Sequence, residues 1–189
     1  PKKVWSFRLM NKFNVALINM CTEVEGPYKR LCIWFQGCDR NCKNCCNVDL
    51  QKKIKKNIMT DQEIIEIVKQ SIKNYAIEGI TLSGGEPLLQ IGLPNLLRQF
   101  KELNLGIILF TGEKYENIPI DIISYCDIII DGEFNEKVID NQRALIGSQN
   151  QRLIFVSDRY IKDKDWFFNP ILKEEININT KFYFNGDKL

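Results

Sequence analysis

The residues best suited to chemistry are three cysteines that fall within eight positions of one another. Cys38, Cys42 and Cys45 are spaced C-x3-C-x2-C and follow the apolar run 31–35. A loop with this spacing can turn three thiolates toward one point, as an iron–sulfur cluster requires. Four such ligands would saturate a cubane cluster, whereas three leave one iron open to another ligand. The pattern therefore predicts a [4Fe-4S] cluster with one open coordination position.

The alternatives are a zinc site, which would need a fourth Cys or His close by, and a chance group of thiols. Cys46 directly follows Cys45, and neighbouring residues of one loop rarely point at the same metal. The chain contains no histidine, which excludes His-ligated zinc and His-dependent catalysis. Cys21, Cys32 and Cys126 are predicted to be core or surface thiols.

Three further loops carry glycine or polar residues directly after apolar runs. Residues 83–87 read Ser-Gly-Gly-Glu-Pro, and Gly84 and Gly85 would let the backbone approach a ligand closely. Thr111 and Asp131 each follow another short apolar run. A strand-to-helix turn or a cap would explain each loop without a ligand. Their common position at strand ends favours a shared binding site.

Short apolar strands alternate with amphipathic helices along the chain. A helix is predicted to begin at residue 61, because Thr60 and Glu63 have capping-box spacing. A second helix is predicted directly after 83–87, interrupted at Gly92 and resumed at Pro94, and a short one around 114–125. Strands are predicted over 13–20, 30–36, 79–82, 106–110, 127–130 and 151–156, and a hairpin over 176–189 with residues 185–187 in or after its turn. This alternation indicates an α/β fold with mostly parallel strands. The special loops would then share the rim formed by the C-terminal ends of the strands.

Length and composition indicate an ordinary globular protein. The 189 residues are 44% apolar and 26% charged, with a formal net charge of +2, so a single domain with a core over about 13–156 and a C-terminal extension over 157–189 is expected. Nothing in the overall charge indicates nucleic acid or membrane as a partner. The clustered cysteines favour a reducing compartment, and no signal peptide is recognised, so a cytoplasmic location is expected. The basic run 52–56 is either a solvated face or a docking surface for an acidic partner.

Taken together, these motifs make the sequence resemble the activating enzymes of anaerobic (class III) ribonucleotide reductase. These are small members of the radical S-adenosylmethionine (SAM) superfamily. The likeness extends from about residue 25 to about residue 156. The cysteine and Gly-Gly-Glu motifs mark the superfamily, whereas Asp-Gly-x-Phe at 131–134 and Gly-Ser-x-Asn-Gln at 147–151 are more particular to the activases and to small cluster proteins similar to them. Where the family usually has Gly-Pro-Gly, this chain has Gly-Pro-Tyr at 26–28.

The resemblance implies an incomplete α/β barrel with the cluster and SAM at its C-terminal rim. SAM would chelate the open iron, and Glu86 or the exposed backbone beside it would hold the ammonium of its methionine. The implied cluster ligands are Cys38, Cys42 and Cys45, and the implied SAM-binding residues are Gly84, Gly85, Glu86, Thr111 and Asp131.

The implied activity is radical chemistry on a partner protein. A one-electron donor such as flavodoxin or ferredoxin would reduce the cluster, and SAM would be cleaved to methionine and a 5′-deoxyadenosyl radical. That radical would generate a glycyl radical on a partner enzyme, with anaerobic ribonucleoside-triphosphate reductase as the first candidate.

Two other functions stay open on the sequence. The same scaffold would serve a radical SAM enzyme acting on a different glycyl-radical enzyme, a peptide or a small molecule. An iron–sulfur electron-transfer module without SAM cleavage is disfavoured, because it needs no Gly-Gly-Glu loop and prefers four protein ligands.

Overall fold

The computed structural model describes residues 10–168, 182–184 and 187–188. Its four α-helices are α1 (Asp61–Tyr75), α2 (Leu93–Glu102), α3 (Ile120–Ile123) and α4 (Lys164–Phe168). The strands of the described part form a single nine-stranded sheet: β1 (Lys12–Thr22), β2 (Arg30–Phe35), β3 (Asn57–Thr60), β4 (Gly79–Gly84), β5 (Gly106–Phe110), β6 (Ile128–Asp131), β7 (Arg152–Phe155), β8 (Phe182–Phe184) and β9 (Asp187–Lys188). None of the described helices is both long enough and apolar enough to span a bilayer.

The centre of the sheet consists of four parallel strands. The order is β7-β6-β5-β4-β2-β1-β8-β9, with β3 also paired to β1. Strands β2, β4, β5 and β6 run parallel, whereas β1 and β7 run antiparallel to their neighbours β2 and β6. The predicted α/β fold with parallel strands is therefore confirmed for the centre, and antiparallel strands extend it on both sides.

Several predicted elements differ from those observed. Strand β3 was not expected, and it pairs with the N-terminal half of β1. The segment 114–125 is not one helix but a 3-10 turn (Tyr115–Asn117) followed by the single turn of α3. Pro119 explains the break, since the residue before a proline avoids the helical region, and Ile118 has a ψ of 132°.

The C-terminal hairpin is present in the described residues. Strand β8 pairs antiparallel with β9, and Tyr183 of β8 is also aligned with Ile18 of β1. Residues 176–181, 185–186 and 189 of the predicted hairpin lie outside the described part of the chain.

Helices α1 and α2 cover one face of the sheet. Helix α1 begins with the predicted capping box: Thr60 Oγ1 accepts a hydrogen bond from the Glu63 amide at 3.2 Å, and the Glu63 carboxylate accepts one from the Thr60 amide at 2.7 Å. Its buried Ile64 and Val68 join the main core. Burial of such side chains supplies the main driving force for this layer.

The other face of the central strands is covered by the chain after β7. Ile108, Ile128 and Ile130 pack there against Tyr160 and Phe167. The segment that follows β7 therefore closes one side of the sheet and leaves the C-terminal ends of the strands open above it.

The opposite ends of the strands are held by a buried arginine. Arg30, at the start of β2, is fully buried and donates to Thr81 Oγ1 at 2.9 Å and to the carbonyls of Ile80 and Gly106 at 2.9 and 3.0 Å. It also donates to the Tyr160 hydroxyl at 2.8 Å. One guanidinium thus joins β2, β4 and β5 to the segment that covers them.

Candidate active site

A cavity of about 300 Å³ lies at the C-terminal ends of the parallel strands. The predicted site residues that line it come from the ends of three strands: Cys38, Cys42 and Cys45 after β2, Gly84, Gly85 and Glu86 at and directly after the end of β4, and Thr111 after β5. The expectation that loops far apart in sequence share one rim is met by this arrangement. It follows from parallel strand order, since parallel strands end on the same edge.

Two asparagines turn the cysteine loop. Asn41 and Asn44 directly precede Cys42 and Cys45, and both have positive φ, of 51° and 55°. Asparagine adopts this left-handed conformation more readily than most residues. The Asn-x-x-Asn spacing within the loop is the sequence signal for this turn.

The sulfur atoms receive backbone hydrogen bonds. The Arg40 amide donates to Cys38 Sγ at 3.4 Å, and the Asn47 amide donates to Cys45 Sγ at the same distance. Such bonds favour the thiolate that a cluster binds. Burial raises the pKa of the Cys38 and Cys42 thiols, so these thiols must lose their protons when they bind a metal.

The arrangement of the thiols differs from that of a site for a single metal ion. In the described part of the chain, no three Cys, Asp or Glu side chains converge closely enough to hold a single metal ion. A cubane makes no such demand, because each thiolate binds a different iron atom. Three thiols around one cavity, with two backbone amides directed at sulfur, are a donor set that fits a [4Fe-4S] cluster.

The two glycines at the end of β4 are needed for contact with the backbone that leads into the cysteine loop. Gly84 has a φ of +104°, and a Cβ atom there would lie 2.4 Å from the Phe35 amide nitrogen. A Cβ atom on Gly85 would lie 2.2 Å from the Gly37 carbonyl oxygen. The Gly-Gly pair therefore lets the β4 loop rest directly on the backbone that leads into Cys38.

Glu86 connects the loops that follow β4 and β5. Its side chain is buried, and its oxygens accept hydrogen bonds from the Leu88 amide at 3.0 Å, Thr111 Oγ1 at 2.8 Å and the Gly112 amide at 2.9 Å. Burial raises the pKa of this carboxyl, although the three donors act in the opposite direction. Glu86 and Thr111 are thus brought together as one hydrogen-bonded pair at the cavity wall.

Asp131 faces a different cavity from the other predicted site residues. Its carboxylate is buried, accepts a hydrogen bond from the Tyr115 amide at 2.7 Å and forms an ion pair with Arg152. Its neighbours Ile130 and Gly132 line the cysteine cavity, but the Asp131 side chain lines the adjacent polar cavity. The structure therefore does not bring Asp131 together with the cysteines.

Arg40 is a residue of the site that the sequence analysis missed. It supplies the single cationic side chain among the described residues that line the cysteine cavity. Its guanidinium lies 2.5 Å from Glu113 and 3.6 Å from Glu133, which follow β5 and β6. Hydrogen bonds from Asn117 and Arg40 lower the pKa of Glu113 to about 2. Arg40 therefore links the cysteine loop by ion pairs to the loops after β5 and β6, although their acids lie far from Arg40 along the chain.

The two motifs near the end of the core meet at Gln151. Its side-chain oxygen accepts hydrogen bonds from the Gly147 and Ser148 amides at 3.0 and 3.1 Å, and its amide nitrogen donates to the Gly132 carbonyl at 2.9 Å. Gly147 and Gln151 line the cavity together with Phe134. The Asp-Gly-x-Phe and Gly-Ser-x-Asn-Gln segments thus build one wall of the cysteine cavity.

Comparison with known proteins gives consistent matches. Residues 24–154 match the model of the 4Fe-4S single cluster domain family. The anaerobic ribonucleoside-triphosphate reductase-activating protein of Enterobacteria phage T4 is 33% identical over 146 residues, which is 74% of this chain and 92% of that protein. The protein of the same name from Escherichia coli K12 is 28% identical over 141 residues, 68% of this chain and 89% of that protein. Among solved structures, QueE from Escherichia coli superposes with a TM-score of 0.47 and 11% identity, over 68% of this chain and 74% of that one.

Proposed function

We propose that this chain, a radical SAM activase of the 4Fe-4S single cluster domain family, generates a glycyl radical on an anaerobic ribonucleotide reductase. Its cofactors are a [4Fe-4S] cluster and SAM. When bound, they would supply one-electron cleavage of the SAM sulfonium and, through it, removal of a hydrogen atom from a glycine of the partner. The single observation that carries the proposal is that the three cysteines and the Gly-Gly-Glu loop line one cavity.

The cluster ligands in this proposal are Cys38, Cys42 and Cys45. Their loop is turned by its asparagines and held by the Arg40–Glu113 ion pair, so contacts within the chain keep the three thiols around the cavity. The residues that hold the cluster are thereby positioned by their own chain, which lowers the ordering cost of binding.

SAM is proposed to bind against the Gly-Gly-Glu loop. The backbone of Gly84 and Gly85 carries no side chain that would fill the cavity, and Glu86 and Thr111 present a buried hydrogen-bonded pair at its wall. A carboxylate there complements the ammonium of the methionine part. For Asp131 we propose an indirect contribution, in which its bonds to Tyr115 and Arg152 fix the loop whose backbone lines the cavity.

The open edges of the sheet are compatible with the entry of a protein substrate. In the described part of the chain, the strand order ends at β7 on one side and at β9 on the other, as the proposed incomplete barrel requires. Its open side would admit the glycine-bearing segment of the reductase. Free thiols and an iron–sulfur cluster persist in a reducing environment. We therefore propose that the protein is located in the cytoplasm.

The proposal is tested by mixing the reconstituted protein anaerobically with SAM, dithionite and a candidate class III reductase. A glycyl doublet in the electron paramagnetic resonance spectrum of the reductase is the expected result, together with 5′-deoxyadenosine. Deoxyadenosine without the doublet would point to another substrate for the same chemistry. Absence of both products from a cluster-loaded protein would contradict the proposal and favour a bare cluster module.

Replacing Glu86 with glutamine is expected to weaken SAM binding about tenfold while the cluster is retained. The amide keeps the size of the side chain and one oxygen acceptor, but it removes the negative charge proposed to face the ammonium, a loss on the order of 1–2 kcal/mol. Equilibrium binding of SAM to the cluster-loaded protein measures the effect. Glu102→Gln, at the exposed end of α2, is the matched control. Unchanged SAM affinity in Glu86→Gln would show that the loop is only a turn.

A further inference from the structure

A basic patch lies directly beside the cysteine loop but outside the cavity. We call it the lysine face; it comprises residues 52–56, Lys-Lys-Ile-Lys-Lys. All four lysines are exposed, and so is Ile54, at 52%. None of the five residues lines the cysteine cavity. The lysine face is thus next to the cysteine loop but does not line the cysteine cavity.

The lysine face is joined to the cysteine loop through backbone hydrogen bonds. The Cys38 amide donates to the Gln51 carbonyl at 3.1 Å, and the Gln51 side chain donates to the Cys42 carbonyl at 3.2 Å. Gln36, two residues before Cys38, donates to the Lys52 carbonyl at 2.7 Å. A molecule bound on the lysine face is therefore separated from two of the proposed cluster ligands by one residue and one hydrogen bond.

The charge on the rim is asymmetric. The lysine face lies at the β1–β2 side of the sheet, where the Lys56 amide also donates to the Asn14 side chain on β1 at 2.8 Å. The loops after β5 and β6, farther along the sheet, carry acidic side chains that are each paired with a cation: Glu113 and Glu133 with Arg40, Glu116 with Arg152 and Glu136 with Lys43. On the lysine face, the one ion pair among the described residues joins Lys52 to Asp49. The positive charge of the lysine face is therefore largely unpaired within the described part of the chain, and it would attract an acidic protein.

From this arrangement, and resting on the proposed function, we propose that the lysine face docks the acidic one-electron carrier protein that reduces the cluster. One electron passes from the reduced carrier to the oxidised cluster, and no bond is made or broken. Exposed Val48 and Ile58, at 57% and 46%, add apolar contacts near the lysines. A small apolar area with basic surroundings suits the weak, transient interfaces of redox partners.

Position distinguishes an electron carrier from the radical acceptor. Removal of a hydrogen atom requires the glycine to enter the cavity, and the lysines lie outside it. Electron transfer requires proximity to the cluster and no entry. The lysine face satisfies the second requirement and not the first.

The test compares two double variants of the cluster-loaded protein. Lys53→Gln/Lys55→Gln removes two charges from the lysine face, and Lys69→Gln/Lys73→Gln removes two exposed charges from α1 near the end that leads to the start of β4, away from the rim. Flavodoxin in its hydroquinone form is the probe. At low ionic strength, the first variant is expected to bind flavodoxin about tenfold more weakly and to be reduced by it about tenfold more slowly. The difference should shrink toward 1 M salt, where the Debye length falls to about 3 Å.

Dithionite separates this inference from the proposed function. With dithionite as reductant, both variants should be reduced, should cleave SAM and should activate the reductase as the unsubstituted protein does. Equal flavodoxin binding and rates in both variants, or no reduction of the unsubstituted protein by flavodoxin, would overturn the inference. Loss of dithionite-driven reductase activation in Lys53→Gln/Lys55→Gln would also overturn it and assign the face to the radical acceptor. Normal flavodoxin-dependent reduction without a glycyl radical would instead refute the proposed function and leave the docking inference standing.

Discussion

Replacing Cys42 with alanine is expected to abolish both the intact cluster and SAM cleavage. Cys42 lies in the middle of the cysteine loop and lines the cavity with Cys38 and Cys45. Two thiols cannot hold the three irons that the protein is proposed to ligate, so SAM would lose the iron that it chelates. The rate of cleavage should fall by at least about a thousandfold, a loss on the order of 4 kcal/mol in transition-state stabilisation. Iron and sulfide content, the visible absorption of the cluster and 5′-deoxyadenosine yield measure the effect.

Cys46→Ser supplies the matched control for this experiment. Cys46 lines the same cavity and is exposed, yet it directly follows Cys45 in the loop. We expect Cys46→Ser to retain the cluster and SAM cleavage. A Cys42→Ala protein with a full cubane spectrum and normal turnover would contradict the assignment of ligands. Loss of the cluster in Cys46→Ser would show that the fourth thiol takes part in binding it.

The features that followed from local sequence were predicted well. The spacing of the cysteines and the alternation of strands and helices were enough to bring the loops after β2, β4 and β5 onto one rim. Parallel order explains this success, because each strand of such a sheet ends at the same edge regardless of what its loop contains. The capping box at Thr60 likewise depends only on residues three positions apart.

The direction of Asp131 could not be read from the same pattern. It follows Ile128, Ile129 and Ile130, all buried because both faces of β6 are covered. A strand covered on both faces shows no alternation of apolar and polar residues, so hydrophobicity does not reveal which face the next side chain takes. The structure places Ile130 on the cavity side and Asp131 in the neighbouring polar cavity.

Long-range charge pairs and unusual backbone conformations were equally hidden. Glu113, whose carboxylate lies 2.5 Å from the Arg40 guanidinium, is 73 residues away from it along the chain. Tyr28 has a φ of 64°, although it replaces a glycine usual in the family. Its hydroxyl donates to Asp163 at 2.7 Å. That contact lies 135 residues away along the chain and offsets part of the cost of a left-handed tyrosine.

Replacing Arg30 with methionine is expected to cost about 3–5 kcal/mol of folding free energy, the range typical of breaking a buried charged network. Methionine fills similar space but donates no hydrogen bonds, so Thr81, the Tyr160 hydroxyl and the carbonyls of Ile80 and Gly106 would lose a buried donor. Urea denaturation of the unsubstituted and variant proteins measures the difference. Arg98→Met is the control, since Arg98 pairs only with residues of its own helix among the described contacts and should cost less than about 1 kcal/mol.

The Arg30→Met variant also separates an effect on folding stability from an effect on cluster and SAM binding. Arg30 binds the N-terminal ends of β2, β4 and β5, whereas the cysteines follow the C-terminal end of β2, so the guanidinium does not line the cavity. The fraction of Arg30→Met protein that folds is therefore expected to bind the cluster and SAM as the unsubstituted protein does. A stability loss below about 1 kcal/mol would show that the network contributes little more than an exposed pair. A fully folded variant that no longer holds the cluster would show instead that the two ends of the strands are coupled, because a change at one end had altered the loops at the other.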